Sequence, residues 1–168
     1  MQLGITIPAE RFFKMEKPAY GQDLDHLFCW ELHVILLQGR PAMIGVNCGT
    51  RFAFILAGVD PGHRDRLPEL VCREIEKSFF EAGISRGHIN AYFRRAAEAE
   101  ITKTHGRSQV AYLNKAVELV LWNDIAADSS AMRQPVLNDI LNRTPTRCTG
   151  DSEQERPMDR LLEKLEKL

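Results

Sequence analysis

Leu3, Ile5 and Ile7 alternate with Gly4 and Thr6, and this period of two predicts a short strand that Pro8 ends. Residues 27–37 carry the same period further. Phe28, Trp30, Leu32, Val34 and Leu36 fall on one face and Cys29, Glu31, His33, Ile35 and Leu37 on the other, so this strand is apolar on one side and mixed on the second. Two turn sequences, Gln38-Gly39-Arg40-Pro41 and Asn47-Cys48-Gly49-Thr50, set it apart from strands over 42–46 and 52–59. Connections this short predict antiparallel hairpins, and hence a meander whose apolar face needs a cover.

The period then lengthens to that of a helix. Leu67, Leu70, Val71, Ile75, Phe79 and Ala82 recur at helical spacing as far as Gly83, and Pro68 places the start near Asp65 because proline fits only the first turn. Ser85 is a suitable N-cap for a second helix that buries Ile89, Tyr92, Phe93, Ala96 and Ala97. Residues 100–104 return a strand to the sheet edge, and Val110, Leu113, Val117, Val120 and Leu121 mark the buried stripe of a third helix. The pattern predicts an α+β domain over residues 1–125, a small antiparallel β-meander sheet covered by three helices.

Past residue 125, serine, proline, asparagine and threonine replace the periodicity. This predicts a flexible linker over 126–156, relieved by a short helical cluster at Val136, Leu137, Ile140 and Leu141. Residues 157–168 then form an amphipathic helix with Leu161, Leu165 and Leu168 on one stripe and Leu162 beside it. A helix this short lies at the low end of the ~12–15 residues at which isolated helices are even marginal in water. The stripe therefore has to dock on the domain, on a second copy of the chain, or on a partner protein.

Composition narrows the classes. With 168 residues, 44% of them apolar and 27% charged, the chain can bury one substantial core. The net charge of −1 excludes a generally basic nucleic-acid binder. Over 84–116, however, Arg86, Arg94, Arg95, Lys103, Arg107 and Lys115 outnumber Glu98 and Glu100, which makes Arg94, Arg95, Lys103 and Lys115 a candidate basic face. Cys29, Cys48, Cys72 and Cys148 have no C-x-x-C spacing, so buried, reduced thiols are expected rather than zinc or a disulfide framework, and no metal or cofactor is expected. No leader-like start and no apolar run approaching the ~20 residues of a membrane span are found, so a cytoplasmic location is expected and no membrane partner.

The stretch 102–114 concentrates the candidate chemistry. It reads as the end of a strand, a turn released by Gly106 and the first turn of a helix, where unpaired N–H groups and the helix dipole attract anions. Thr104, Arg107, Ser108 and Asn114 are the candidate anion-binding residues. Arginine offers a planar bidentate donor, and Asn114 follows Arg107 by two helical turns and points in roughly the same direction. In the plainer alternative, Asn114 satisfies a sheet carbonyl and Arg107 pairs with a surface acid. His105, on the turn beside Arg107, is the candidate general acid or base, since no histidine accompanies a nucleophile signature such as G-x-S-x-G. Glu31 and His33 share a strand face, but two ligands without a third do not make a metal site.

The run Phe28-Cys29-Trp30, then Ile44-Gly45-Val46-Asn47, Thr50-Arg51-Phe52, and Thr102-Lys103-Thr104 through Arg107-Ser108, Ala111 and Asn114 resembles an uncharacterised bacterial domain-of-unknown-function family. Its members are small cytosolic proteins or modules found upstream of plasmid-type open-reading-frame domains. The resemblance covers about residues 1–124, and its most specific part is Thr-Lys-Thr, two residues, Arg-Ser, and Asn seven residues after the Arg. The family pattern often sets a histidine directly after the tryptophan, where this chain has Glu31, with His33 later. The resemblance implies a compact α+β fold without a documented reaction, and it favours Thr104, Arg107 and Asn114 as a shared site.

Three functional classes follow. In the favoured one, a non-enzymatic module binds an anionic ligand, nucleic acid or nucleotide, at Thr104–Asn114 and the basic face, while the C-terminal stripe recruits a protein partner or a second copy. In the second, a phosphoester or nucleotide-processing enzyme uses Arg107 to stabilise charge and His105 to move protons. In the third, a protein-protein interaction scaffold has no small ligand. The first is favoured because neither an acidic cluster for two metal ions nor an activated nucleophile is apparent.

Overall fold

A computed structural model describes residues 1–122, 126–148 and 152–168. Its strands are β1 (Gln2–Ile5), β2 (Cys29–Leu37), β3 (Arg40–Asn47), β4 (Ala53–Ala57) and β5 (Glu100–Lys103), and they form one sheet in the order β4-β3-β2-β1-β5. The expected hairpins are there, with β3 antiparallel to both β2 and β4. The sheet as a whole is mixed, not an antiparallel meander, because β1 runs parallel to both β2 and β5. A short turn forces antiparallel pairing, whereas the long connections from β1 to β2 and from β4 to β5 allow crossovers that local pattern does not reveal.

The helices are α1 (Ile7–Phe12), α2 (Leu67–Glu81), α3 (Arg86–Ala96), α4 (Arg107–Trp122), α5 (Pro135–Arg143) and α6 (Pro157–Leu165). They cover both faces of the sheet instead of one. Against α1, α2, α3 and α6 pack Leu3, Ile5, Trp30, Leu32, Met43, Phe54 and Leu56. Ile35, Leu37, Ala42, Ile44, Val46, Ala53, Ile55 and Ala57 make a second apolar face under α4 and α5. The sequence of β4, Ala-Phe-Ile-Leu-Ala, has no polar alternation, and all five residues are buried, as strands covered on both sides require. At the centre of the first face, Trp30 Nε1–H donates to Tyr92 Oη at 2.9 Å, and the Tyr92 hydroxyl donates to the Leu27 carbonyl at 3.1 Å.

The short helical cluster expected at Val136, Leu137, Ile140 and Leu141 is α5, which seals the free edge of β4. Asn138 Oδ1 accepts the Ile55 N–H at 2.8 Å, Asn142 Oδ1 accepts the Ala53 N–H at 2.7 Å, and Asn142 Nδ2 donates to the Ala53 carbonyl at 2.8 Å. One helical turn thus spaces two asparagines to meet alternate residues of a strand, replacing the missing neighbour on an edge. Arg133 ties the same segment to α2. It donates to Glu74, which is buried, from Nε at 2.6 Å and Nη2 at 3.2 Å, and it also reaches Glu81.

The C-terminal stripe docks on its own domain. Leu161 and Leu165 are buried in the first core and Leu168 packs against it, so the stripe docks back on the chain's own domain. Arg160, also buried, donates to the carbonyls of Thr50 and Thr146, each at 3.1 Å. Among the described residues, no helix is long and apolar enough to cross a membrane.

Candidate functional site

β5 leads through Gly106, whose φ of 114° is open to glycine, into α4 at Arg107. Thr104 is half-buried here, while Arg107, Ser108 and Asn114 are exposed. The buried positions beside Asn114 on this helix are Leu113 and Gln109. The basic residues do not form one face. Arg94 and Arg95 belong to α3, on the layer opposite the one that carries Lys115 on α4. Lys103 sits on β5 with its Nζ 3.9 Å from the centre of the Tyr20 ring.

His105 turns inward, away from the start of α4. Its ring Nδ1 lies 3.1 Å from Glu31 Oε1 and its Nε2 3.1 Å from Gln2 Oε1, while its backbone N–H donates to Glu31 Oε1 at 2.6 Å. Cys48 Sγ is 3.8 Å from both Glu31 Oε1 and His105 Nδ1. Burial opposes a charge on His105, but its hydrogen bonds to Cys29, Cys48 and Glu31 outweigh this and raise its pKa above the ordinary histidine value. Burial also pushes the Cys48 thiol up to about 11, with the contact to His105 working the other way. The position of His105 as a proton carrier for a ligand at Arg107 is thus taken up by an internal cluster. His33, the partner that shared a strand face with Glu31, bonds Thr6 Oγ1 at 2.8 Å instead, and burial lowers its pKa.

A second polar constellation lies where the β3–β4 loop meets α4 and α5. A cavity of about 180 Å³ has Val46, Ala53, Ala116 and Leu141 in its apolar wall and Arg51, Tyr112, Lys115 and Arg147 as its polar lining, with no acidic residue among those that line it. Arg51 is only 6% exposed. Its guanidinium lies 3.7 Å from the centre of the Tyr112 ring, one nitrogen donates to Gln109 Oε1, and Nε has no partner. No carboxylate faces it among the described residues. Arg51 also holds a φ of 68°, the left-handed region that side chains other than glycine rarely adopt.

Neither cluster is apparent along the chain. Glu31 was the available signal for the first, a carboxylate in the apolar run of β2, but Cys48 and His105 reach it only through the tertiary fold. Arg51 stands in a turn, where arginine ordinarily extends into solvent. All four cysteines are free, with Cys29, Cys48 and Cys148 buried and Cys72 half-buried. Comparison with curated proteins gives no match. The family described as a domain of unknown function (DUF6933) matches residues 2–160, so it takes in the strands, α5 and the start of α6, and the chain belongs to that family.

Proposed function

We propose that the protein is a binding module for a small organic anion, held in the cavity between the β3–β4 loop, α4 and α5. The observation that carries this reading is Arg51, a buried guanidinium with an unpartnered Nε and no facing carboxylate among the described residues. A buried charge without a counter-charge is strongly unfavourable, and a phosphate or carboxylate in the adjoining cavity supplies one. Lys115 and Arg147 add charge of the same sign at the cavity lining, while Val46, Ala53 and Leu141 provide an apolar wall. The ligand class is one anionic group joined to a short apolar or planar portion, of mononucleotide size or smaller. A volume of about 180 Å³ is below the ~300–1,000 Å³ typical of drug-sized ligands, which favours a small anion.

The site uses the helix singled out by the Thr104–Asn114 pattern, but further along it, at Tyr112 and Lys115. Arg94 and Arg95 take no part, which disfavours an extended nucleic-acid surface. Thermal unfolding with inorganic phosphate, acetate, benzoate and adenosine monophosphate tests the proposal. A binding anion stabilises the wild type by about 2.7 kcal/mol at a hundredfold excess over Kd. Arg51→Gln is expected to remain folded and lose the response. The proposal fails if none of these anions shifts the wild type, or if Arg51→Gln responds as the wild type does.

A further inference from the structure

Glu31 comes from β2, Cys48 from the loop after β3 and His105 from the turn after β5, and one donor atom of each lies within 4.8 Å of the others. The separations are 3.1 Å between Glu31 Oε1 and His105 Nδ1, and 3.8 Å from Cys48 Sγ to each. A tetrahedral zinc ion with ordinary bond lengths holds nitrogen and oxygen ligands ~3.4 Å apart and a sulfur ~3.6 Å from either. The triangle therefore matches such a sphere to within about 0.3 Å on every edge.

Hydrogen bonding within the cluster leaves one group unexplained. Glu31 is 1% exposed, and its Oε2 has no partner, an arrangement that is costly for a carboxylate oxygen unless a cation meets it. The surroundings are also those of a ligand set. With its Nε2–H donated to Gln2 Oε1, the arrangement that orients metal-bound histidines, His105 turns Nδ1 toward Glu31 and Cys48, and loss of the Nδ1 proton would free a lone pair there. Gln2 is itself held by donation from Nε2 to the Gln22 carbonyl at 3.1 Å. Gly4 keeps β1 clear of the cluster, since a Cβ there would fall 2.7 Å from Glu31 Oε2 and 2.9 Å from His105 Nδ1.

We propose that Glu31, Cys48 and His105 bind one divalent transition-metal ion of zinc's type through carboxylate oxygen, thiolate sulfur and imidazole Nδ1. The sulfur and nitrogen donors select against magnesium and calcium, which take oxygen ligands. On ligation the Cys48 thiol proton, and any proton on Nδ1, passes to solvent, so the sulfur and nitrogen each offer a lone pair to the ion. The ion clamps three segments of the chain, and Cys29, which hydrogen-bonds His105, is a further sulfur beside them. The site stands apart from the anion cavity and does not depend on it.

The test uses the full chain, treated with a chelator and titrated with Co(II) alone. One equivalent is expected to bind, with the visible bands of tetrahedral cobalt and a near-ultraviolet sulfur-to-cobalt charge-transfer band, and Zn(II) alone is expected to displace it. Cys48→Ser is expected to abolish the charge-transfer band. Gln2→Ala is expected to weaken binding roughly 10–100-fold, as loss of outer-shell partners does. Both substitutions leave the apolar core intact, and circular dichroism checks that the variants are folded. The proposal is overturned if the folded wild type takes up neither ion stoichiometrically, or if Cys48→Ser keeps the charge-transfer band and full affinity, which places the ion elsewhere.

Discussion

Asn142→Ala removes both hydrogen bonds that α5 makes to Ala53, the one accepted from its N–H at 2.7 Å and the one donated to its carbonyl at 2.8 Å. Ala53 is 1% exposed and Asn142 4%, so water does not readily replace either partner. A buried backbone group left unsatisfied costs about 1–3 kcal/mol, and two such groups give a central expectation of about 4 kcal/mol. For a chain of this size that corresponds to a fall in Tm of roughly 8–16 °C. Asn138→Ala strands only the Ile55 N–H, with longer contacts to Glu74 and Ser78 lost besides, and is expected to cost about 2 kcal/mol. Urea unfolding measures both, with the midpoint moving and the slope unchanged. Amide exchange adds a local readout, with the Ala53 amide losing protection in Asn142→Ala and the Ile55 amide in Asn138→Ala. A free-energy change within about 0.5 kcal/mol for Asn142→Ala, or unaltered exchange at Ala53, refutes the reasoning that α5 stands in for a sixth strand.

Arg133→Ala leaves the buried Glu74 carboxylate without its cation and is expected to cost about 3–5 kcal/mol in chemical denaturation. Adding Glu74→Gln should recover most of that loss, and no recovery would show that the arginine acts by packing alone. Leu161→Ala is expected to cost about 2–5 kcal/mol with no change of oligomeric state by light scattering, because Leu161 is fully buried within its own domain. A variant as stable as the wild type but altered in assembly would refute that placement.

Much of the fold was legible locally. The hairpins β2–β3 and β3–β4 follow from their short turns, and the helices α2, α3 and α4 from apolar spacing with Pro68, Ser85 and Gly106 as boundary marks. The helical cluster of α5 was visible in Val136, Leu137, Ile140 and Leu141, but not its docking, because Asn138 and Asn142 are polar toward the backbone of β4 and not toward water. The amphipathic stripe of α6 was visible, but its partner was not. Of the polar residues that stood out in 102–114, Arg107, Ser108 and Asn114 are exposed, while His105 is drawn inward by Glu31.

The sequence by itself determined which segments become strands and helices and which of their faces are apolar, because those properties depend on neighbours within about four residues along the chain. Only the tertiary structure decided that β1 runs parallel between β2 and β5, and that α5 closes the sheet edge. It also decided that Glu31 meets Cys48 and His105, and that Arg51 is buried beside a cavity instead of pointing to solvent. Each of these joins residues 17 or more positions apart, and what brings them together is burial of both faces of the sheet, a constraint that acts on the whole chain at once.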